Sequence, residues 1–263
     1  YDDASVPHTD NDVTIEFIPT IKDNGAGDVA IGHFVASDPD DANPSFTYEK
    51  TSSTLTDDST HTTVDVLTID STTGDLDVNF DGLNGSHTYT GSVTVKATDS
   101  FDGDSATTSF NLLIGSNGAE TLTADDSNGS GTIIDGRGGG DNLIGGTMAD
   151  YIIGAGGGDT IKGLGGADAL IGGDGQDTFV YTNASDSPVD GGDQIYQFQI
   201  GFTPNNHDII DFAAFGITSA DVTVTNNGTD TLIQANTDGA AGADLEITLV
   251  GVATDSSHID IHY

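Results

Sequence analysis

Cysteine and tryptophan are missing from the 263 residues, methionine occurs once, and lysine and arginine together number only 5. Without cysteine there can be no disulfide and no thiolate metal site, so hard oxygen donors are the one abundant metal-binding chemistry available. The 5 basic residues face 43 Asp and Glu, a formal charge of -38. Such an excess repels phosphate backbones and excludes a nucleic-acid partner. No run approaches the ~20 apolar residues of a membrane span, so membrane insertion is not expected. The chain opens on Tyr1 and Asp2 without a signal-like segment, which reads as an excised piece of a longer protein.

Catalytic signatures are missing as well. There is no Gly-x-Ser-x-Gly elbow and no His-Glu-x-x-His helix. The 7 histidines, at 8, 33, 61, 87, 207, 258 and 262, are scattered. No catalytic residue and no organic cofactor site is expected, and the chain is read as a non-enzyme.

What is present falls into three segments, all β in expectation. Residues 1–114 carry short alternating runs such as Val13-Thr14-Ile15-Glu16-Phe17 and Val93-Thr94-Val95-Lys96-Ala97. Asp/Gly/Asn/Ser clusters separate them, the pattern of a β-sandwich. Residues 115–182 turn abruptly Gly- and Asp-rich. Residues 183–263 return to apolar runs, among them Leu245-Glu-Ile-Thr-Leu-Val250, and are placed to close the open end of the middle segment as a β-rich cap.

The middle segment repeats every nine residues. Units begin at Gly136, Gly145, Gly154, Gly163 and Gly172, with an acid at Asp141, Asp150, Asp159, Asp168 and Asp177. The apolar phase runs Ile134, Leu143, Ile152, Ile161, Leu170, Phe179. Glu120 holds the acidic slot in a degenerate earlier unit, and Thr132 holds it in the next. Low complexity alone would not keep a fixed apolar phase.

A unit of Gly-Gly-x-Gly-x-Asp-x-U-x, with U apolar, divides into a six-residue turn and a three-residue strand. Glycine allows positive φ and close backbone approach, so carbonyl oxygens can converge. Two units complete one coil, and same-side turns are then eighteen residues apart. Asp141, Asp159 and Asp177 would line one edge, Asp150 and Asp168 the other. A cation between neighbouring turns would receive two carboxylates plus carbonyls, from candidates Gly136, Gly138, Gly145, Gly154, Gly156, Gly163, Gly165 and Gly172. Six to eight oxygens in flexible geometry is a Ca²⁺ site, and several ions are expected. Arg137, Ala155 and Leu164 stand where the second glycine belongs, and Met148 where the fourth does, which implies local strain.

These units are similar to the RTX repeat family, whose nonapeptide motif they match over 134–180. The resemblance implies a parallel β-roll that folds on external Ca²⁺, and export unfolded through type I secretion machinery. Asp193 and Asp208 lie in stretches that resemble the segment following RTX repeats, which implies further ligands. Residues 1–114 resemble a bacterial cadherin-like domain through Asp10-Asn11-Asp12, Asp38-Pro-Asp40 and Val95-Lys-Ala-Thr-Asp99. That implies a Ca²⁺ site from Asp10, Asn11, Asp12, Asp38, Asp40 and Asp99, completed by an upstream domain of the same protein.

The expectation is therefore an all-β chain: cadherin-like β-sandwich (1–114), RTX β-roll (115–182) and β-rich cap (183–263). Its expected role is the monomeric, calcium-dependent C-terminal region of a large RTX adhesin, secreted or held at the bacterial cell surface. The rival role is a Ca²⁺-dependent module binding carbohydrate or another surface. Ice binding would need a regular outward Thr or Asn array. The residues after successive acids, Asn142, Tyr151, Thr160, Ala169 and Thr178, read as irregular.

Overall fold

A computed structural model describes residues 13–23, 28–39, 45–79, 82–189, 191–201 and 207–263, with backbone alone at 19–23 and 28–30. The chain divides into two compact units. The first comprises residues 1–55, 64–83 and 92–109; the second comprises 56–63, 84–91 and 110–263. Among the described residues the only helical elements are single 3-10 turns such as Ala184–Asp186 and Ser219–Asp221.

The first unit takes its strands from β1 (Thr14–Asp23), β2 (Asp28–Ser37), β3 (Phe46–Asp57), β4 (Thr63–Val64), β5 (Leu67–Ile69), β6 (Asp75–Asn79), β7 (Tyr89–Asp99) and β8 (Ser105–Ile114). One sheet runs β1-β2-β6-β5 with antiparallel pairs such as Phe17↔Phe34 and Ile69↔Leu76. The order β4-β3-β7-β8 makes up the rest. Alternation decides which faces are buried. Along β7 the residues Val93, Val95 and Ala97 are fully buried while their neighbours are half-exposed. Phe17 and Phe34 pack with ring centroids 4.9 Å apart.

In the second unit the nine-residue period becomes two parallel sheets. Strands β9 (Thr121–Thr123), β11 (Asn142–Ile144), β13 (Thr160–Lys162) and β15 (Thr178–Val180) pair in sequence on one side. The C-terminal part of β8 with β10 (Thr132–Asp135), β12 (Tyr151–Gly156) and β14 (Ala169–Asp174) pair on the other. Partners such as Asn142↔Thr160 and Ile133↔Tyr151 are one full coil apart. One residue of each strand keeps the nine-residue apolar phase, and Ile134, Leu143, Ile152, Ile161, Leu170 and Phe179 are all at most 1% exposed in a common core.

The strands after residue 183 add to the same two sheets. These are β16 (Asp193–Tyr196), β17 (Ile209–Asp211), β18 (Val222–Asn226), β19 (Thr231–Ala235), β20 (Leu245–Val250) and β21 (Asp260–His262). β16 and then β20 extend one sheet in parallel; β17 and then β21 extend the other. Antiparallel β19 and β18 finish the first of these sheets. Longer loops between these strands replace the six-residue turns, yet the inward residues Ile195, Ile210 and Leu249 continue the core at 0% exposure.

Candidate metal centres along the roll

Glycine at two repeat positions shapes each turn. The fourth-position glycines Gly139, Gly157, Gly166 and Gly175 have φ of 134°, 136°, 135° and 128°. A Cβ on Gly157 or Gly175 would collide with the carbonyl oxygen one coil away. Arg137, Ala155 and Leu164 adopt φ of 65°, 70° and 64°. A side chain there accepts left-handed strain of about 1 kcal/mol or more. Met148, in the fourth position of its unit, is not among the positive-φ residues, so its turn departs from the others.

The turns deliver the acids to two ladders. On one edge Glu120 N donates to Asp141 Oδ1 (2.9 Å), Asp141 N to Asp159 Oδ1 (2.8 Å), and Asp159 N to Asp177 Oδ1 (2.8 Å). Asp177 N then donates to Asp208 Oδ1 at 3.1 Å. On the other edge Thr132 N donates to Asp150 Oδ1 (2.7 Å), Asp150 N to Asp168 Oδ1 (2.8 Å), and Asp168 N to Asp193 Oδ1 (3.0 Å). Asp193 N ends that ladder on Ser187 Oγ at 2.7 Å. The five repeat acids thus separate three and two, and Asp208 and Asp193 continue the ladders although their spacings of 31 and 25 residues depart from eighteen.

All seven aspartates are at most 2% exposed. The second carboxylate oxygens, Oδ2 of Asp141, Asp159, Asp168, Asp177 and Asp193, are buried without a hydrogen-bond partner. Asp150 Oδ2 accepts from Gly146 N (2.6 Å) and Asp208 Oδ2 from Gln199 N (2.8 Å). A buried, unpaired carboxylate is costly unless a charge compensates it. Only Arg137 and Lys162 among the 5 bases fall within 115–182.

Burial accordingly pushes Asp141, Asp150 and Asp208 up to about 6 and Asp177 up to about 7. Asp159 is raised by the same cause. Asp168 and Asp193 are raised furthest, first by burial, and for Asp168 next by the neighbouring Asp193 charge. Each shift has the same leading cause, burial of a carboxylate without enough compensating charge.

Four of these free oxygens, those of Asp141, Asp159, Asp168 and Asp177, face room that glycine leaves open. A Cβ on Gly136 would stand 2.8 Å from Asp141 Oδ2 and 3.0 Å from Gly154 O. One on Gly154 would collide with Asp159 Oδ2 and meet Gly172 O at 2.5 Å. Gly163 and Gly172 stand in the same relation to Asp168 Oδ2 and Asp177 Oδ2, and Gly145 lies 2.7 Å from Asp150 Oδ2 by the same measure. First-position glycines therefore bring carbonyls and carboxylates together. At the third position Gly156 O already accepts from Gly139 N (2.8 Å), Gly165 N donates to Gly146 O (2.9 Å), and Gly138 bridges Gly156. The donor set of carboxylates and carbonyls, with no cysteine, fits Ca²⁺. Among the described residues no three acidic or histidine side chains gather as a metal cluster, so any cation must draw on the backbone.

The candidates of the first unit are less complete. Asp99 ends β7 at 1% exposure, its Oδ1 accepting from Phe101 N (2.6 Å) and its Oδ2 buried without a partner. Asp38 is buried just after β2. Asp10, Asn11, Asp12 and Asp40 lie outside the described residues.

Two features escaped the sequence reading. Asp126, outside the nonapeptide register, places its carboxylate against the 145–148 turn. The residues after successive acids, irregular in chain order, divide between opposite sheets because alternate units enter opposite sides. On one sheet Thr121, Asn142, Thr160 and Thr178 stand in register as a continuous Thr/Asn row.

The family model described as Peptidase M10 serralysin C terminal matches residues 133–261. No curated protein matches the chain. Among solved structures the chain is similar to the AlgE6R3 subunit of the Azotobacter vinelandii mannuronan C5-epimerase, with 30% identity and a TM-score of 0.31, over 53% of this chain and 70% of that one. The AlgE6R2 subunit of the same enzyme gives 27% identity and a TM-score of 0.30, over 56% and 89%. The extracellular lipase LipA of Serratia marcescens gives 17% identity and 0.26, over 65% and 29%. With the family match, the parallel coils and the buried acid ladders together, residues 133–261 form an RTX-like β-roll, similar to the serralysin C-terminal domain.

Proposed function

We propose that this chain is the calcium-dependent, non-catalytic C-terminal region of a secreted RTX adhesin, folding on extracellular Ca²⁺ and serving type I secretion. The observation that carries the reading is the set of four buried, partnerless Oδ2 atoms, of Asp141, Asp159, Asp168 and Asp177, each facing a first-position glycine. Bound Ca²⁺ would neutralise them and bridge successive coils. Five same-edge pairs would hold it: 141/159, 159/177 and 177/208 on one edge, 150/168 and 168/193 on the other. The first-position carbonyls of Gly136, Gly145, Gly154, Gly163 and Gly172 would be the main backbone donors, with Gly138, Gly156 and Gly165 lesser ones.

In this reading 1–114 is a cadherin-like sandwich, 115–182 the roll proper and 183–263 the closing segment. Asp99 and Asp38, with Asp10, Asn11, Asp12 and Asp40, would hold Ca²⁺ toward an upstream domain of the same protein. The protein would work as a monomer, outside the cell or on its surface. The resemblance to exported RTX proteins supports the secretion role, and cytosolic Ca²⁺ is too scarce to fill weak sites before export.

Calorimetry of the chelator-stripped chain should register at least five Ca²⁺ ions taken up with a large gain in β-structure. Spectra indifferent to chelator would remove the reading. Export of the parent protein lacking residues 183–263 should fail, and normal release would count against the secretion role.

A second reading, Ca²⁺-dependent binding of carbohydrate, is favoured by the row Thr121, Asn142, Thr160 and Thr178. It offers hydroxyls and an amide at one-strand intervals beside Lys162, on a face exposed at Thr121 and half-buried thereafter. Glycan-array signals present with Ca²⁺ and lost with chelator would select it.

A further inference from the structure

The second edge begins with an irregular rung. Its first slot holds Thr132 where the register calls for an acid, so Asp150 has no partner carboxylate eighteen residues earlier. Thr132 is 1% exposed and its Oγ is buried without a hydrogen-bond partner, while its N–H donates to Asp150 Oδ1 at 2.7 Å. Asp126 belongs to the same connecting segment between β9 and β10. Its Oδ2 accepts from Thr147 N, from Thr147 Oγ at 3.2 Å and from Met148 N at 3.3 Å. A Cβ on Gly146 would collide with that carboxylate, and Gly146 N donates to Asp150 Oδ2 at 2.6 Å. The two carboxylates thus flank one glycine. Asp126 Oδ1 remains buried without a partner. The turn that receives it is the one whose fourth position is Met148 instead of a left-handed glycine.

We propose that Asp126, Thr132 and Asp150 form an additional Ca²⁺ site at the first rung of the second edge, with Asp126 supplying from outside the repeat the acid that Thr132 lacks. The site rests on the calcium-roll reading above. Two carboxylates meet at Gly146, and the buried hydroxyl belongs to the residue whose N–H binds Asp150 Oδ1. That is hard-cation chemistry. A turn cap alone would account for Oδ2 of Asp126, which is satisfied by N–H groups. It would leave Oδ1 of Asp126 and Oγ of Thr132 orphaned, at a cost comparable to a lost hydrogen bond each.

The experiment counts Ca²⁺ bound per full-length chain by equilibrium dialysis and elemental analysis, with folding followed by circular dichroism. Asp126→Asn keeps the acceptor of a cap and removes the charge. It should bind one ion fewer than the parent, and Asp126→Asn/Thr132→Asp, which returns an acid to the slot, should recover that ion. Asp159→Asn serves as a control that disturbs the opposite edge. An Asp126→Asn chain binding as many ions as the parent would reduce Asp126 to a cap and overturn the site. Should Asp126→Asn fail to fold in saturating Ca²⁺, the double variant decides: full stoichiometry supports the site, and one missing ion overturns it. A parent chain that binds no Ca²⁺ would instead defeat the roll reading itself, a distinct result.

Discussion

The first unit and the roll place their acids in opposite ways. In the first unit, Asp38 and Asp99 apart, acids such as Asp70 sit at the surface with donors to hand: Asp70 accepts from Thr72 N and Thr73 N, both at 2.8 Å, and these bonds hold its carboxyl below the usual range. In the roll they are buried in ladders and pushed upward by burial. The cores differ as well. β7 alone buries Val93, Val95 and Ala97, whereas the three-residue roll strands β11 and β13 each bury a single large residue at the centre, Leu143 and Ile161. One unit is held by apolar packing that needs no ion. The other has buried carboxylates whose charge needs a compensating cation or proton.

Chelation should break this comparison open with the largest effect. A site filled at one hundred times its Kd adds about 2.7 kcal/mol, so five such sites would add roughly 13 kcal/mol, as much as a whole domain's stability. In excess EGTA, hydrogen exchange should become fast across β11 to β15 while Val93 to Ala97 of β7 stay protected. Protection lost equally in both units would show that the two are not independently stabilised.

Acid should partly replace the metal, and only in the roll. The raised carboxylates bind more protons folded than unfolded. Their contribution to the metal-free fold is present below the unfolded value near 3.8 and is lost as pH rises through about 6 to 7. A stripped chain moved from pH 8 to pH 5 should therefore gain β-signal from the roll. Its apparent Ca²⁺ affinity should fall over the same range, because protons and Ca²⁺ compete for the same oxygens. A stripped roll that loses structure between pH 8 and pH 5 would contradict the burial of these acids.

Glycine substitution should rank next. Gly157→Ala places a Cβ against Gly139 O at φ 136°. It should cost well above the ~1 kcal/mol of left-handed strain alone. Gly103→Ala, at φ 92° in a first-unit turn with nothing within 4 Å, meets only that conformational cost. Denaturant midpoints in Ca²⁺ would compare them, and equal shifts would mean that the close approach of coils carries no energy.

The roll was legible in the sequence because one physical constraint, a nine-residue step with a single inward residue, leaves its mark at every unit. Its acid slots follow from that step, and so does the strain at Arg137, Ala155 and Leu164, which adopt the left-handed φ that glycine would. Where the step fails, legibility fails with it. Asp193 and Asp208 return to the ladders only after loops that spacing could not anticipate, and resemblance alone pointed to them. Asp126 has no period to betray it. The Thr/Asn row was hidden because the chain interleaves two sheets. In the first unit, alternation marks the strands but not their partners, so the order β1-β2-β6-β5 could not be read from residues.

The smallest effect should come from an exposed ion pair among the described residues of the first unit. Lys50 Nζ lies 2.6 Å from Asp65 Oδ1 and donates to Leu67 O at 2.6 Å, tying β3 to the segment before β5. The Asp65 side chain is 74% exposed, so water competes with the lysine for it, although the Lys50 hydrogen bond holds its carboxyl below the usual range. Exposed pairs of this kind contribute about 0–1 kcal/mol. Lys50→Met keeps the apolar stem of the side chain and removes the charge, and should shift the first unit's unfolding by less than about 1 kcal/mol, with little dependence on Ca²⁺. Replacing a ladder acid, as in Asp159→Asn, leaves two neighbouring carboxylates without their shared cation and should cost several times more in Ca²⁺. If Lys50→Met proved as damaging as Asp159→Asn, electrostatics would govern both units alike, and the contrast between a packed unit and an ion-filled one would collapse.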